Sequence, residues 1–231
     1  MVRLIIFEGL PGSGKSTQSK LVSNALEGPA MGPYHEPLFD KSTKAIIEPY
    51  FKDPKNHTDT SSMLITSLYA FQRRVLYDDL SYRLRLQCSS SVSVVTDRSF
   101  LSSMAHQSSR LSINDYRKPM HAEDILQYNL ESLKGSPLFE DLNEISLVFF
   151  EPKADISMMR LLGRTEKPTP YTHSDLKVLE AAYWHSKDIL LNATRTKSGS
   201  KESLLGVNFN FIQVPCDMNI EATTEHILST L

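Results

Sequence analysis

Along this chain, short uninterrupted apolar runs alternate with longer stretches of helical spacing. Residues 4–7, Leu-Ile-Ile-Phe, form an apolar run bounded by glycine. Such a run fits a strand covered on both faces, as in a parallel sheet. Residues 15–26 place Leu21, Val22, Ala25 and Leu26 on a helical spacing, and Gly28-Pro29 stops the pattern. Residues 28–37 read as turn-rich, 41–51 as a helix interrupted by Pro49, and 53–59 as a polar loop. The longest helical pattern covers 62–86, with Leu64, Ile65, Leu68, Phe71, Val75, Leu76 and Leu80 close to a 3.6 period. After a loop at 89–91, the β-branched run 92–95 reads as a second core strand, and 145–150 as a third. Helices are expected at 123–133, 155–162, 174–192 (with Ser174 as N-cap) and 221–228. A last strand is expected at 207–214, after a Ser/Lys-rich surface loop at 194–203. Strands separated by helices predict an α/β fold, a parallel sheet flanked by helices. No repeat or linker interrupts the pattern, so residues 1–231 read as a single domain.

The turn after the first strand changes this from a fold statement to a chemical one. Gly9-Leu10-Pro11-Gly12-Ser13-Gly14-Lys15-Ser16 satisfies G-x-x-x-x-G-K-[ST], between a strand and a helix as that motif requires. Glycines let backbone N–H groups turn toward phosphate oxygens, and the positive end of the following helix points the same way. Lys15 is expected to reach the β- and γ-phosphates of ATP, and the Ser16 hydroxyl to ligate Mg²⁺, with Thr17 beside them. The expected fold is thus a P-loop NTPase three-layer sandwich.

Four further groups are candidates. Asp97 and Arg98 lie just past the second core strand, where open α/β sheets bind ligands. Asp97 is suited to Mg²⁺ or its waters, and Arg98 to a donor or acceptor phosphate. Glu36, before Pro37, is placed to take a proton from a substrate hydroxyl or to bind a sugar hydroxyl. Phe71-Gln72-Arg73-Arg74 offers an aromatic ring, an amide that can both donate and accept toward a base, and two guanidinium groups. Arg160 and Arg164 lead into a Pro-punctuated polar segment and are expected on a short lid, at approximately 160–172, that neutralises transition-state charge.

Composition narrows the reading. The net charge is −2 with a pI near 6.4, so no global basic excess favours a nucleic-acid partner. Cys88 and Cys216 lack C-x-x-C spacing and read as free thiols of a reducing compartment. No apolar run approaches the ~18 residues of a membrane helix, and the start of the chain lacks a signal-peptide cleavage pattern. The expectation is a cytoplasmic protein, or one of the host cytoplasm or nucleus if the source is viral.

Residues 7–18 resemble the start of thymidylate kinases. Thr96 through Gln107 is similar to their D-R-[YW]-x-x-S-x-x-A-Y-Q segment, and Glu36-Pro37 occupies the place of their R-E-P. The stretch from Ile212 to Glu221 resembles their final strand, adenine-proximal turn and closing helix. The related deoxynucleoside kinases resemble the chain at Glu36-Pro37, Phe71-Gln72, Asp97-Arg98-Ser99 and the lid arginines. The resemblance implies ATP- and Mg²⁺-dependent phosphoryl transfer to a deoxynucleoside monophosphate, thymidylate foremost, and a possible homodimer. The alternative is a deoxynucleoside acceptor with Glu36 as base. A switch ATPase and a kinase acting on nucleotides in DNA are the competing classes. His35 stands where many thymidylate kinases carry Arg, and Leu38-Phe39-Asp40 replaces their Gly-Gly-Thr. Arg73 or Arg74 would then supply the missing phosphate contact.

Overall fold

A computed structural model describes residues 1–36, 45, 59–87, 91–109, 120–164, 169–194 and 203–231, the side chains of 59–62 excepted. The helix expected at 41–51 (residue 45 excepted), the loop at 53–58, Ser89 and Ser90, residues 165–168 of the lid, residues 195–202 of the late loop, and Cys88 lie outside the described residues.

The strands are β1 (Val2–Glu8), β2 (Ala30–His35), β3 (Val92–Asp97), β4 (Leu142–Phe150), β5 (Ser203–Leu204) and β6 (Val207–Val214). The helices, numbered among the described residues, are α1 (Lys15–Ala25), α2 (Asp59–Leu86), α3 (Phe100–Gln107) and α4 (Ala122–Leu133). They continue as α5 (Pro137–Asp141), α6 (Ala154–Leu162), α7 (His173–Thr194) and α8 (Ile220–Thr230). One six-stranded sheet has the order β2-β3-β1-β4-β6-β5. Its strands run parallel except β5, which pairs antiparallel with β6.

Strand β1 lies between β3 and β4 and has no solvent face, which is why its sequence is apolar without alternation. Leu4 and Ile6 point to one side, into the core with Leu76, Tyr77 and Leu80 of α2, Leu101 of α3 and Tyr183 of α7. Ile5 and Phe7 point to the other side and meet Val22 of α1 and Ile227 of α8. The period-two alternation of a strand thus serves two helical layers. The expected sandwich and parallel sheet are observed.

Some elements differ from expectation. The turn-rich reading of 28–37 concealed β2, an edge strand whose pairing with β3 shifts between Met31 and Tyr34, around Gly32 and Pro33. Proline is compatible with an edge position, where a ladder bond can be given up. Helix α7 begins at His173, and Ser174 is not its cap. Instead, Asp175 N donates to Thr172 Oγ1 at 3.1 Å while Thr172 N donates to Asp175 Oδ2 at 2.9 Å, a reciprocal N-terminal box. Helices α3 and α5 and the two-residue β5 carried too little periodic pattern to be read.

Candidate active site

Both β1 and β3 end at the same edge of the sheet. Arg98 N, just past β3, donates to Phe7 O near the end of β1 at 2.9 Å. The neighbours of β1 are reached by crossovers in opposite directions, so a crevice opens beyond its carboxyl end. The glycine turn fills the floor of that crevice. A Cβ on Gly9 would lie 2.9 Å from Phe150 Cβ, and one on Gly12 would lie 2.7 Å from Ser157 O, so the turn sits tight against β4 and α6. Gly14 has open space around its α-carbon but a φ of 100°, so conformation demands glycine there.

Lys15 is buried, and its Nζ donates to Leu10 O at 2.9 Å. Burial, helped by the charge of Arg98, lowers its pKa to about 7. The Ser16 hydroxyl donates to Asp97 Oδ2, which is also 3.1 Å from His35 Nδ1. Burial pushes the Asp97 carboxyl upward, but His35, Lys15 and Ser16 outweigh it, and the pKa is lowered. Asp97 Oδ1 is buried without a hydrogen-bond partner. A hydroxyl and a carboxylate in contact, with one carboxylate oxygen uncommitted, fit a Mg²⁺ ion that completes its shell with water and phosphate. Among the described residues no cluster of three or more His, Cys, Asp or Glu could hold a metal unaided.

Arg98 has a φ of 79°, a left-handed backbone that costs a residue with a Cβ about 1–2 kcal/mol. Its Nη1 donates to Ser102 Oγ and to Tyr183 OH, each at 3.3 Å. Glu8, fully buried, accepts from Ser99 N at 2.7 Å, from Ser102 N at 3.1 Å and from Ser102 Oγ.

A cavity of about 450 Å³ opens on the other side of the glycine turn, lined by Gly12, Thr17, Arg160, Arg164, Cys216 and Ile220 among others. Arg160 spans it, donating from Nη1 to Ser13 O at 3.0 Å and from Nη2 to Cys216 O at 2.9 Å. It thereby ties the glycine turn to the segment between β6 and α8. Arg164, exposed just past α6, adds positive charge that is felt at Lys15. Both arginines expected on the lid therefore line this cavity beside the glycine turn.

The acceptor candidates divide. Glu36 and Arg73 are buried and paired, with Arg73 Nε donating to Glu36 Oε2 at 2.5 Å. Arg73 also donates to Asn129 Oδ1 and, at 3.3 Å, to Ser103 Oγ. Burial raises the Glu36 pKa, and Arg73 offsets part of that. Gln72 Oε1 is buried and unpartnered. Arg74 points elsewhere: it binds Asp78 at 2.8 Å and the carbonyls of Ser132 and Gly135, so it holds α2 to the end of α4. Phe71 is 65% exposed and is not brought to the crevice. Arg73 and Tyr77, one turn apart on α2, both face Glu36, whereas Phe71, two residues before Arg73, lies on the opposite, outward face. Sequence reasoning missed Glu8, Ser102, Asn129 and Tyr183. A charged residue ending an apolar strand was the available signal for Glu8, and the Ser of the D-R-[YW]-x-x-S segment was the signal for Ser102; Asn129 and Tyr183 carried none.

Residues 7–119, just under half of the chain, match the sequence model of the thymidylate kinase family. The resemblance to thymidylate kinases is therefore borne out over that segment. The chain is 32% identical to a probable thymidylate kinase of Methanobrevibacter smithii over 105 residues, covering 45% of this chain and 50% of that one. The match thus spans about half the length of this curated relative. Among solved structures, a thymidylate kinase from Candida albicans aligns with 98% of this chain and 89% of its own, with a TM-score of 0.56 and 16% identity. A deoxyadenosine kinase from M. mycoides, with bound dCTP, aligns with 98% and 97%, with a TM-score of 0.54 and 15% identity. Both share the fold.

Proposed function

We propose that this protein uses ATP and Mg²⁺ to phosphorylate a deoxynucleoside monophosphate, with thymidylate the foremost candidate. The supporting observation is the contrast between the crevice's two sets of charges. Lys15, Arg98, Arg160 and Arg164 gather around the glycine turn, whereas Glu36 is already neutralised by Arg73 at 2.5 Å. A monophosphate acceptor brings its own ionised nucleophile and needs no general base, only cations to hold it in line with the donor. On this reading the glycine turn binds the β- and γ-phosphates, and Ser16 and Asp97 would hold Mg²⁺, which would offset the negative charge of the donor phosphates. Arg98 grips the acceptor phosphate, and Glu36 accepts a sugar hydroxyl. The similarity to thymidylate kinases over the segment holding Lys15, Glu36, Arg73 and Arg98 supports the same acceptor.

A second reading has its own support. Burial raises the Glu36 pKa, the direction that suits a general base toward a nucleoside 5′-hydroxyl. ADP formation across a panel of deoxynucleosides and their monophosphates, with an acceptor-free control, separates the readings. Turnover restricted to monophosphates supports the first, and turnover restricted to nucleosides replaces it with the second. ADP formation indifferent to acceptor supports neither reading and indicates a switch ATPase or an acceptor outside the panel.

Assembly as a homodimer belongs to the same proposal. Phe71, Val75, Tyr82 and Leu86 are exposed along one stripe of α2, at spacings of four and seven. A molar mass by light scattering that matches one chain would reject it.

A further inference from the structure

We propose that Tyr183 and Ser102 are positioning residues for Arg98, anchored by the buried carboxylate of Glu8. The inference rests on the reading that Arg98 contacts a phosphate during transfer.

Proton counting fixes the direction of the network. Glu8 accepts from two backbone N–H groups and from the Ser102 hydroxyl. With Glu8 ionised, the single Ser102 proton is committed to the carboxylate, and Ser102 Oγ accepts from Tyr183 OH, 2.9 Å away. The phenol oxygen then accepts from Arg98 Nη1 at 3.3 Å, and Nη1 also reaches Ser102 Oγ at 3.3 Å. Arg98, Tyr183, Ser102 and Glu8 form one chain of donors ending on a carboxylate, and each bond polarises the next. The three anchors lie out of water, since Tyr183 and Glu8 are fully buried and Ser102 is 7% exposed, while Arg98 is half-buried.

The anchors lie on elements that frame the crevice. Glu8 directly precedes the glycine turn, Ser102 is on α3, and Tyr183 is on α7, the helix that follows the lid segment. Arg98 itself has a left-handed backbone, so its guanidinium cannot rely on the local rotamer preferences of a regular strand or helix. The network gives that side chain one direction, relative to the same turn that would hold the donor phosphates. Tyr183 OH and Ser102 Oγ thereby act through Arg98 without touching a substrate.

Tyr183→Phe removes one oxygen and keeps the ring in its packing; Ser102→Ala is the second variant. Each is expected to lower acceptor turnover about tenfold by loosening a phosphate contact, with the KM for ATP unchanged. In an Arg98→Ala background the same substitutions should have no further effect. Wild-type turnover in both variants, or an equal loss without Arg98, overturns the assignment. Solvent exchange of the Arg98 Nη protons, followed by NMR in ligand-free protein, reads the network without any substrate. Faster exchange in Tyr183→Phe supports it and unchanged exchange overturns it. If wild-type protein turns over no acceptor in the panel, the functional reading fails, and the exchange result still decides the positioning role.

Discussion

The two sides of the crevice, proposed above as donor and acceptor sides, are built differently. On the donor side, contiguous residues from Gly9 to Thr17 follow one strand and open one helix, and Asp97 reaches them from the neighbouring strand. The cations there stand beside carbonyls or other cations: Lys15 against Leu10 O, Arg160 against Ser13 O and Cys216 O. On the acceptor side, Glu36, Arg73, Ser103 and Asn129 come from the end of β2 and from α2, α3 and α4, and they satisfy one another. The donor side is poised for an anion, whereas the acceptor side holds its own charges in balance. The first should therefore fail in catalysis when altered, and the second should fail first in stability.

The largest expected effect is on the donor side. Lys15→Met should reduce turnover by about 10³-fold or more, through loss of transition-state charge stabilisation. It should not lower the melting temperature of the ligand-free protein, because it removes a cation that burial disfavours. A large drop in melting temperature would erase the contrast.

Next is the acceptor-side pair. Arg73→Ala leaves the Glu36 carboxylate buried without its partner and should cost about 3–5 kcal/mol of stability, measured by urea unfolding. Replacing both residues should cost less than replacing Arg73 alone. Glu36→Gln then sharpens the acceptor question, because monophosphate turnover should fall less than about tenfold if Glu36 is not a base.

Proton uptake is a smaller effect. The Lys15 pKa of about 7 in the free site should rise again when triphosphate oxygens surround the amine. Nucleotide binding at about pH 8 should therefore take up protons, and at about pH 5 Lys15 should contribute none. Calorimetry in buffers of different ionisation enthalpy reads this uptake. For stability the sign is the reverse of the usual ion pair. The folded pKa lies below the unfolded value, so the cost of burying the cation is complete below about pH 7 and is relieved as pH rises toward 10.5. The smallest effect is expected for Phe71→Ser, where the side chain is exposed: turnover should be unchanged within about twofold.

The same contrast explains what was legible in the sequence. The glycine turn needs particular residues at fixed offsets, and the strands beside it are apolar because helices cover both faces. Pattern alone therefore located Gly9 to Ser16, Asp97 and Arg98. Strand β2 escaped because Gly32-Pro33 reads as a turn, although an edge strand tolerates it. The acceptor side was read from short motifs, and helix geometry rearranged them: Arg73 faces Glu36, Arg74 turns to Asp78, and Phe71 faces solvent. Glu8, Ser102 and Tyr183 come together only when β1, α3 and α7 pack, and no local spacing encodes that.

The most direct test is the chemical identity of the product, followed by ³¹P NMR with ATP, Mg²⁺ and thymidylate or thymidine. A monophosphate kinase forms a new phosphoanhydride, seen as a pair of coupled diphosphate resonances from thymidylate, with thymidine left unchanged. A single new phosphate-ester resonance from thymidine, with thymidylate untouched, would contradict the account and assign Glu36 the role of base.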